Sequence, residues 1–107
     1  TNRNLIAGKE LSLMKPDAVL INAARGGLVD ESALLVALKN NQLAGAALDV
    51  LEQEPPSETN PLIHSGLPNL IITPHIAWAS IESRQRLIDA VARNISALSA
   101  GQPEGLV

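Results

Sequence analysis

Leu20-Ile21-Asn22-Ala23-Ala24-Arg25-Gly26-Gly27-Leu28-Val29-Asp30-Glu31 is the stretch that decides how this chain folds. An apolar run stops at an arginine and two glycines, and an acidic residue then opens a helical pattern. A buried parallel strand presents a charged side chain at its carboxyl end in this way, and that edge of an open α/β sheet is where ligands bind. Two later apolar runs also end in reactive side chains. Ala44–Val50 leads to Glu54, and Asn69–Thr73 leads to His75. The expectation is that Arg25, Glu54 and His75 meet at one site.

Around the opening stretch, Asp17 through Asn22 reads as a strand, apolar in succession rather than alternating, as expected where both faces are covered. Leu5 through Met14 reads as a short helix, ended at Lys15 because Pro16 disfavours helical geometry there. Asp30 is the N-cap expected for the next helix, with Glu31 in its first turn. Ala33, Leu34, Ala37 and Leu38 fall on one face at helical spacing. Lys39 sits near the negative end, and Asn40-Asn41 supply the stop. Ala44 through Val50 is a second strand, of small residues that let a helix or ligand approach the backbone.

Residues 51–68 read as irregular, punctuated by Pro55, Pro56, Pro61 and Pro68, with one turn at Asn60-Pro61-Leu62-Ile63. Asn69 through Thr73 is a third strand, ended by Pro74. The last helix is expected from Ser80 to Ala100, with Ile81, Leu87, Ile88, Val91, Ile95 and Leu98 as its apolar stripe and Glu82–Arg86 as an i,i+4 pair. Gly101 and Pro103 stop it. Strands alternating with helices imply an α/β fold with a parallel sheet and right-handed crossovers.

Composition bounds the function. The 107 residues are enough for one domain, and 46% of them are hydrophobic. The core is aliphatic, since Trp78 is the only aromatic residue. Eight Lys and Arg against eleven Asp and Glu give a formal charge of −3, with no basic run or basic-aromatic patch, which argues against nucleic acid as a partner. The absence of cysteine excludes disulfides and thiolate metal sites and fits a reducing cytoplasm. No apolar run approaches the roughly 18 residues of a membrane span, and the N-terminus carries no secretory signal. An opening on Thr1-Asn2-Arg3-Asn4 rather than Met points to a piece cut from a longer protein.

The candidate chemistry rests on few side chains. Arg25 offers a planar, permanently charged fork matched to a carboxylate; the plain alternative is a surface arginine paired with Asp30 or Glu31. Glu54 shares its Pro-rich loop with Glu52, and residue type alone does not separate a functional carboxylate there from a solvated one. His75, placed straight after a buried strand and a proline, has the side chain of a general acid, or else is a satisfied structural histidine. His64 lies in the loop, where solvation is the simpler role. Asp49, at a strand end, could accept hydrogen bonds from a cofactor or cap the next turn. No Gly-x-Gly-x-x-Gly is present. The two histidines lack metal-ligand spacing, and no Gly-x-Ser-x-Gly elbow supports a hydrolase.

Three motifs together carry a resemblance. Asn22-Ala23-Ala24-Arg25-Gly26-Gly27-Leu28-Val29-Asp30-Glu31 resembles the arginine signature of the D-isomer-specific 2-hydroxyacid dehydrogenases. Ala44 through Val50, followed by Glu54-Pro55, resembles that family's glutamate signature, and Thr73-Pro74-His75-Ile76-Ala77 its histidine signature. They occur in the family's order and spacing and span essentially the whole chain. Trp78 through Leu87 resembles the glycerate dehydrogenase (hydroxypyruvate reductase) branch. The resemblance implies the second half of a Rossmann-like doubly wound sheet, three strands with flanking helices, as the C-terminal part of a dinucleotide-binding domain over residues 1–107.

It also implies roles. Arg25 would bind the carboxylate and carbonyl of a small 2-keto or 2-hydroxy acid. His75 would protonate the carbonyl oxygen, and Glu54 would orient His75 and favour its imidazolium. Because the family's glutamate directly precedes proline, Glu54 is selected over Glu52. The cofactor would be NAD, with NADP left open, touched by Ala23, Ala24, Arg25, Asp49, His75, Ile76, Ala77 and Trp78. The intact protein would be a cytoplasmic homodimer. In the family the glycine-rich turn lies upstream of residue 1, so the isolated piece is expected neither to bind cofactor well nor to turn over. Glu104-Gly105 departs from the family's Asn-containing ending. A corepressor-like binding protein on the same fold, or an inactive fragment, are the competing expectations.

Overall fold

A computed structural model describes residues 2–103. In chain order the elements are α1 (Gly8–Ser12), β1 (Val19–Asn22), α2 (Glu31–Lys39), β2 (Gly45–Leu48), β3 (Leu70–Ile72) and α3 (Ile81–Ser99). The chain divides into two compact units, Thr1–Ile76 and Ala77–Val107.

In the first unit the three strands form one parallel sheet in the order β1-β2-β3. Register places Leu20, Ala46 and Leu70 in one row across the sheet, and Ile21, Ala47 and Ile71 in the next. The first row faces the core, where α2 contributes Leu34, Ala37 and Leu38 and α1 contributes Leu11. Leu34 and Leu38 are 0% and 1% exposed. The second row does not face that core: Ile21 and Ile71 remain 71% and 63% exposed. The expectation of a strand covered on both faces therefore fails within this unit, because both helices lie on one side of the sheet. The strands' apolar succession nonetheless places apolar residues on both faces.

The helix expected over residues 5–14 is shorter. Residues 4–6 satisfy their backbone by pairing with the segment after Arg25: Asn4 N–H donates to Gly27 O at 2.7 Å, Ile6 N–H to Leu28 O at 2.9 Å, and Asp30 N–H to Ile6 O at 2.9 Å. The helix then begins at Gly8, with Ala7 extended and its N–H donated to the Glu10 carboxylate at 3.1 Å. Asp30 caps α2 as its type predicts, its Oδ1 accepting from Ala33 N–H at 2.9 Å.

Residues 51–69 contain no helix or strand, and Asn60 makes a turn with His64 through a backbone bond of 3.4 Å. In the second unit, Ser80 caps α3 by accepting from Ser83 N–H. Gly101 closes it at φ +73°, a conformation that favours glycine. No residue of α3 is buried; Ile81 and Leu87 of its stripe are 81% and 62% exposed. Among the described residues the Glu82–Arg86 ion pair is not formed. Arg86 donates to Ser83 Oγ at 3.2 Å, drawn to the capping hydroxyls, and an i,i+4 bond of this helix runs from Gln85 to Asp89 at 2.8 Å. Glu104-Gly105 lies outside the described residues.

Candidate active site

The site is built on the last rungs of the sheet. Asp49 N–H donates to Asn22 O, and Thr73 N–H to Leu48 O, each at 2.9 Å. Sheet pairing thus carries one residue beyond β2 and β3, and Asn22, Asp49 and Thr73 mark its carboxyl edge. The Asn22 side chain shapes the loop after β1, and those of Asp49 and Thr73 shape the loop after β3.

After β1, the buried Asn22 forms the turn that displays Arg25. Its Oδ1 accepts from Ala24 N–H at 3.1 Å and its Nδ2 donates to Arg25 O at 3.0 Å. Arg25 itself donates to Ala24 O at 2.9 Å and takes no ion pair among the described residues. The acids that could have neutralised it are engaged elsewhere: Asp30 caps α2, and Glu31 accepts from Glu52 N–H and from Asn60 Nδ2. Gly26 lets this turn approach the next loop. A Cβ at that position would stand 1.7 Å from Leu51 O.

After β2, the loop separates its two glutamates. Glu52 pairs with Arg3. Glu54 folds back so that Oε1 accepts from Leu51 N–H at 2.9 Å, while Oε2 lies 2.7 Å from Nδ1 of His75. The Leu51 bond, and then the His75 bond, hold the Glu54 carboxyl below its ordinary value, against desolvation and, less, the Asp49 charge.

After β3, Pro74 interrupts the backbone and His75 N–H closes a three-residue turn onto Thr73 O at 3.0 Å. His75 adopts φ +56°, a left-handed conformation that is uncommon outside glycine. Asp49 fixes this bend from β2. Its Oδ1 accepts from Thr73 Oγ1 at 2.5 Å and from Ile76 N–H at 2.9 Å, bracketing His75 on both sides.

Arg25, Glu54 and His75 line one open cleft, together with Gly26 and Leu51. A second cleft shares Leu51, Glu54 and His75 with the first and is walled also by Pro55, Pro56, Ile72 and Pro74. Its walls are mostly apolar, with Asp49 and Thr73 at its polar edge. Ala23 and Ala24 are exposed on the β1 turn, and Ile76 is half exposed. Ala77 and the exposed Trp78 fall in the second unit. His64, in the loop, sits 2.5 Å from Glu58 O and stands apart from these clefts. Inspection of the sequence passed over Asn22, Glu31, Asn60 and Thr73 as organisers. A polar residue closing an apolar strand was the available signal for Asn22, which is buried, and for Thr73, which is exposed; nothing local pointed to the reach of Glu31 across to Asn60.

A glycerate dehydrogenase of Methylorubrum extorquens is 52% identical over 98% of this chain and 33% of its own. Among solved structures, an acyclic imino acid reductase in complex with NADPH and D-Arg superimposes with a TM-score of 0.83 at 42% identity, over 99% of this chain and 33% of its own. An NADPH-dependent glyoxylate/hydroxypyruvate reductase from Sinorhizobium meliloti, in complex with citrate, gives 0.77 at 39% identity, over 100% of this chain and 34% of its own. The chain spans about a third of the length of these relatives. The family model described as D-isomer specific 2-hydroxyacid dehydrogenase, NAD binding domain, matches residues 1–77. With that match covering most of the chain, the protein belongs to the D-isomer specific 2-hydroxyacid dehydrogenase family.

Proposed function

We propose that this chain is the C-terminal part of the dinucleotide-binding domain of an oxidoreductase. Its reaction would reduce a small 2-keto acid to the 2-hydroxy acid, with hydroxypyruvate and glyoxylate as the leading substrates. The observation that carries the proposal is the grouping in one cleft of Arg25, a guanidinium with no ion pair among the described residues, and His75, a carboxylate-bound imidazole. The similarity to glycerate dehydrogenase and to glyoxylate/hydroxypyruvate reductase supports the substrate class.

A reduced nicotinamide, NADH or NADPH, supplies the hydride. The mostly apolar cleft beside His75 suits its ring, with Asp49 at the polar edge; the family resemblance also implies Ala23 and Ala24, both exposed, as cofactor contacts. Arg25 holds the substrate carboxylate through paired N–H donors and keeps the keto group beside His75. Glu54 accepts from Nδ1–H and so fixes the ring and the identity of the nitrogen that acts. Nε2 of the imidazolium gives its proton to the carbonyl oxygen as the carbon accepts hydride. Ile76 adjoins His75 in the chain; the family resemblance implies it, and likewise Ala77 and Trp78, as cofactor contacts.

The intact protein would act in the cytoplasm, as a homodimer, without nucleic acid or membrane as partner. The cysteine-free composition fits that compartment. Steady-state oxidation of NADH and NADPH, followed with hydroxypyruvate, glyoxylate, pyruvate and longer 2-keto acids, tests the function. Turnover is expected with the small hydroxylated or unsubstituted acids. Failure of every 2-keto acid with both cofactors would contradict it and favour a binding protein on the same fold.

A further inference from the structure

Glu31 opens α2 and, among the described residues, hydrogen-bonds to none of the three clustered side chains, yet both its carboxylate oxygens are engaged by the loop that carries Glu54. Oε1 accepts from Glu52 N–H at 2.6 Å, and Oε2 accepts from Asn60 Nδ2 at 3.0 Å. The two donors bracket Glu54 in sequence. Among the described residues, no backbone–backbone hydrogen bond joins residues 51–59 to the body of the protein; Ser57 O accepts only from Asn60 within the loop. The remaining ties are side-chain ones: Arg3 to Glu52, Glu54 to His75, and His64 Nε2 beside Glu58 O. Backbone pairing therefore does not hold this segment; Glu31 ties it at Glu52 N–H and, just beyond its end, at Asn60.

We infer that Glu31 is a positioning residue: its carboxylate staples the Glu54 loop to the start of α2 and so sets Glu54 where the His75 ring meets it. The inference rests on the role proposed above for Glu54 and His75. The Arg25 turn, which leads into α2, also meets this loop through backbone, where Gly26 lies against Leu51 O. A carboxylate is the group this geometry requires. Two donors face it, and a glutamine would offer one acceptor and turn its own NH₂ on the other donor. Asn60 cannot adapt by flipping, because its Oδ1 accepts from Leu62 N–H at 2.9 Å and the residue is buried.

Glu31 also suits a helix N-terminus by charge alone, so the test must separate positioning from helix stability. In the intact protein, Glu31→Gln, Glu54→Gln and the double variant are compared by two readouts. The first is the downfield NMR resonance of the His75 imidazole N–H that is hydrogen-bonded to Glu54. It should be present in the parent, lost in Glu54→Gln, and moved upfield or broadened in Glu31→Gln. The second is kcat/KM for the best 2-keto acid. Glu31→Gln should lose on the order of tenfold, mainly in kcat, as a small misplacement of a catalytic group does. The double variant should be no worse than Glu54→Gln alone.

Should Glu31→Gln fail to fold, Asn60→Asp keeps the acceptor for Leu62 N–H, sets a carboxylate against Glu31, and must show the same change in the resonance. A parental resonance in either folded variant, or losses that multiply in the double variant, would overturn the inference. If the parent reduces no 2-keto acid, the functional reading fails, while the resonance still decides the role of Glu31.

Discussion

His75 presents Nδ1 to Oε2 of Glu54 at 2.7 Å, across 21 residues of sequence, from a backbone in the left-handed region at φ +56°. A histidine in that conformation costs on the order of 1 kcal/mol or more and persists only where its surroundings over-determine it. Here they do: Thr73 O takes its N–H, and Asp49 grips the residues on either side. The backbone that carries the ring is therefore fixed by the sheet edge, and Glu54 then holds the ring itself through Nδ1.

The Glu54 carboxylate makes stability depend on acid. Its carboxyl titrates below the ordinary 4.5, first because of Leu51 N–H and then because of His75. The folded state thus prefers the ionised form. Its stabilisation is fully present above about pH 4.5 and is lost as pH falls through the lower folded-state value. Denaturant midpoints measured from pH 6 downward should fall more steeply for the parent than for Glu54→Gln, and the two curves should converge in acid. Parallel curves would show that Glu54 is not held this way.

Arg25→Lys tests the carboxylate clamp. Lysine keeps the charge and loses the planar fork. Since Arg25 makes no ion pair among the described residues and is exposed, thermal stability should barely change. kcat/KM for a 2-keto acid should drop by about tenfold to a hundredfold, the equivalent of the roughly 1.5–3 kcal/mol of a hydrogen bond to a charged group. Steady-state kinetics beside a melting curve separate the two effects.

Gly26 and Gly8 make a contrasting pair. A Cβ on Gly26 would meet Leu51 O at 1.7 Å, whereas one on Gly8 meets nothing within 4 Å. Gly26→Ala must push the Arg25 turn away from the Glu54 loop, at a cost of about 1–3 kcal/mol for overpacking. Gly8→Ala, in α1, should be neutral or gain about 0.5 kcal/mol. Urea midpoints of the two variants check the difference.

The β-α-β order and the cap at Asp30 were legible because they depend on local pattern: apolar succession, an acid before a helical face, and proline at strand ends. The shortening of α1 was not, because residues 4–6 are recruited by a partner segment beginning more than twenty positions later, at Gly27. Arg25, Glu54 and His75 were legible as candidates, but from residue type alone Glu54 and Glu52 were equivalent. Their difference is tertiary: Glu52 faces Arg3, and Glu54 folds onto Leu51 N–H and His75. Asp49 shows the same limit. Its position at a strand end was visible, whereas its grip on Thr73 and Ile76 depends on β2 lying beside β3.

The most direct measurement is single-turnover hydride transfer by the intact protein and by its His75→Gln variant, with cofactor affinity measured on both. The account predicts that the parent reduces a small 2-keto acid. It predicts that His75→Gln slows the transfer by about 10²- to 10⁴-fold, the range of general acid catalysis, and that cofactor dissociation constants stay within a few-fold. Parental rates in His75→Gln, or a collapse of cofactor affinity that alone explains the loss, would contradict it.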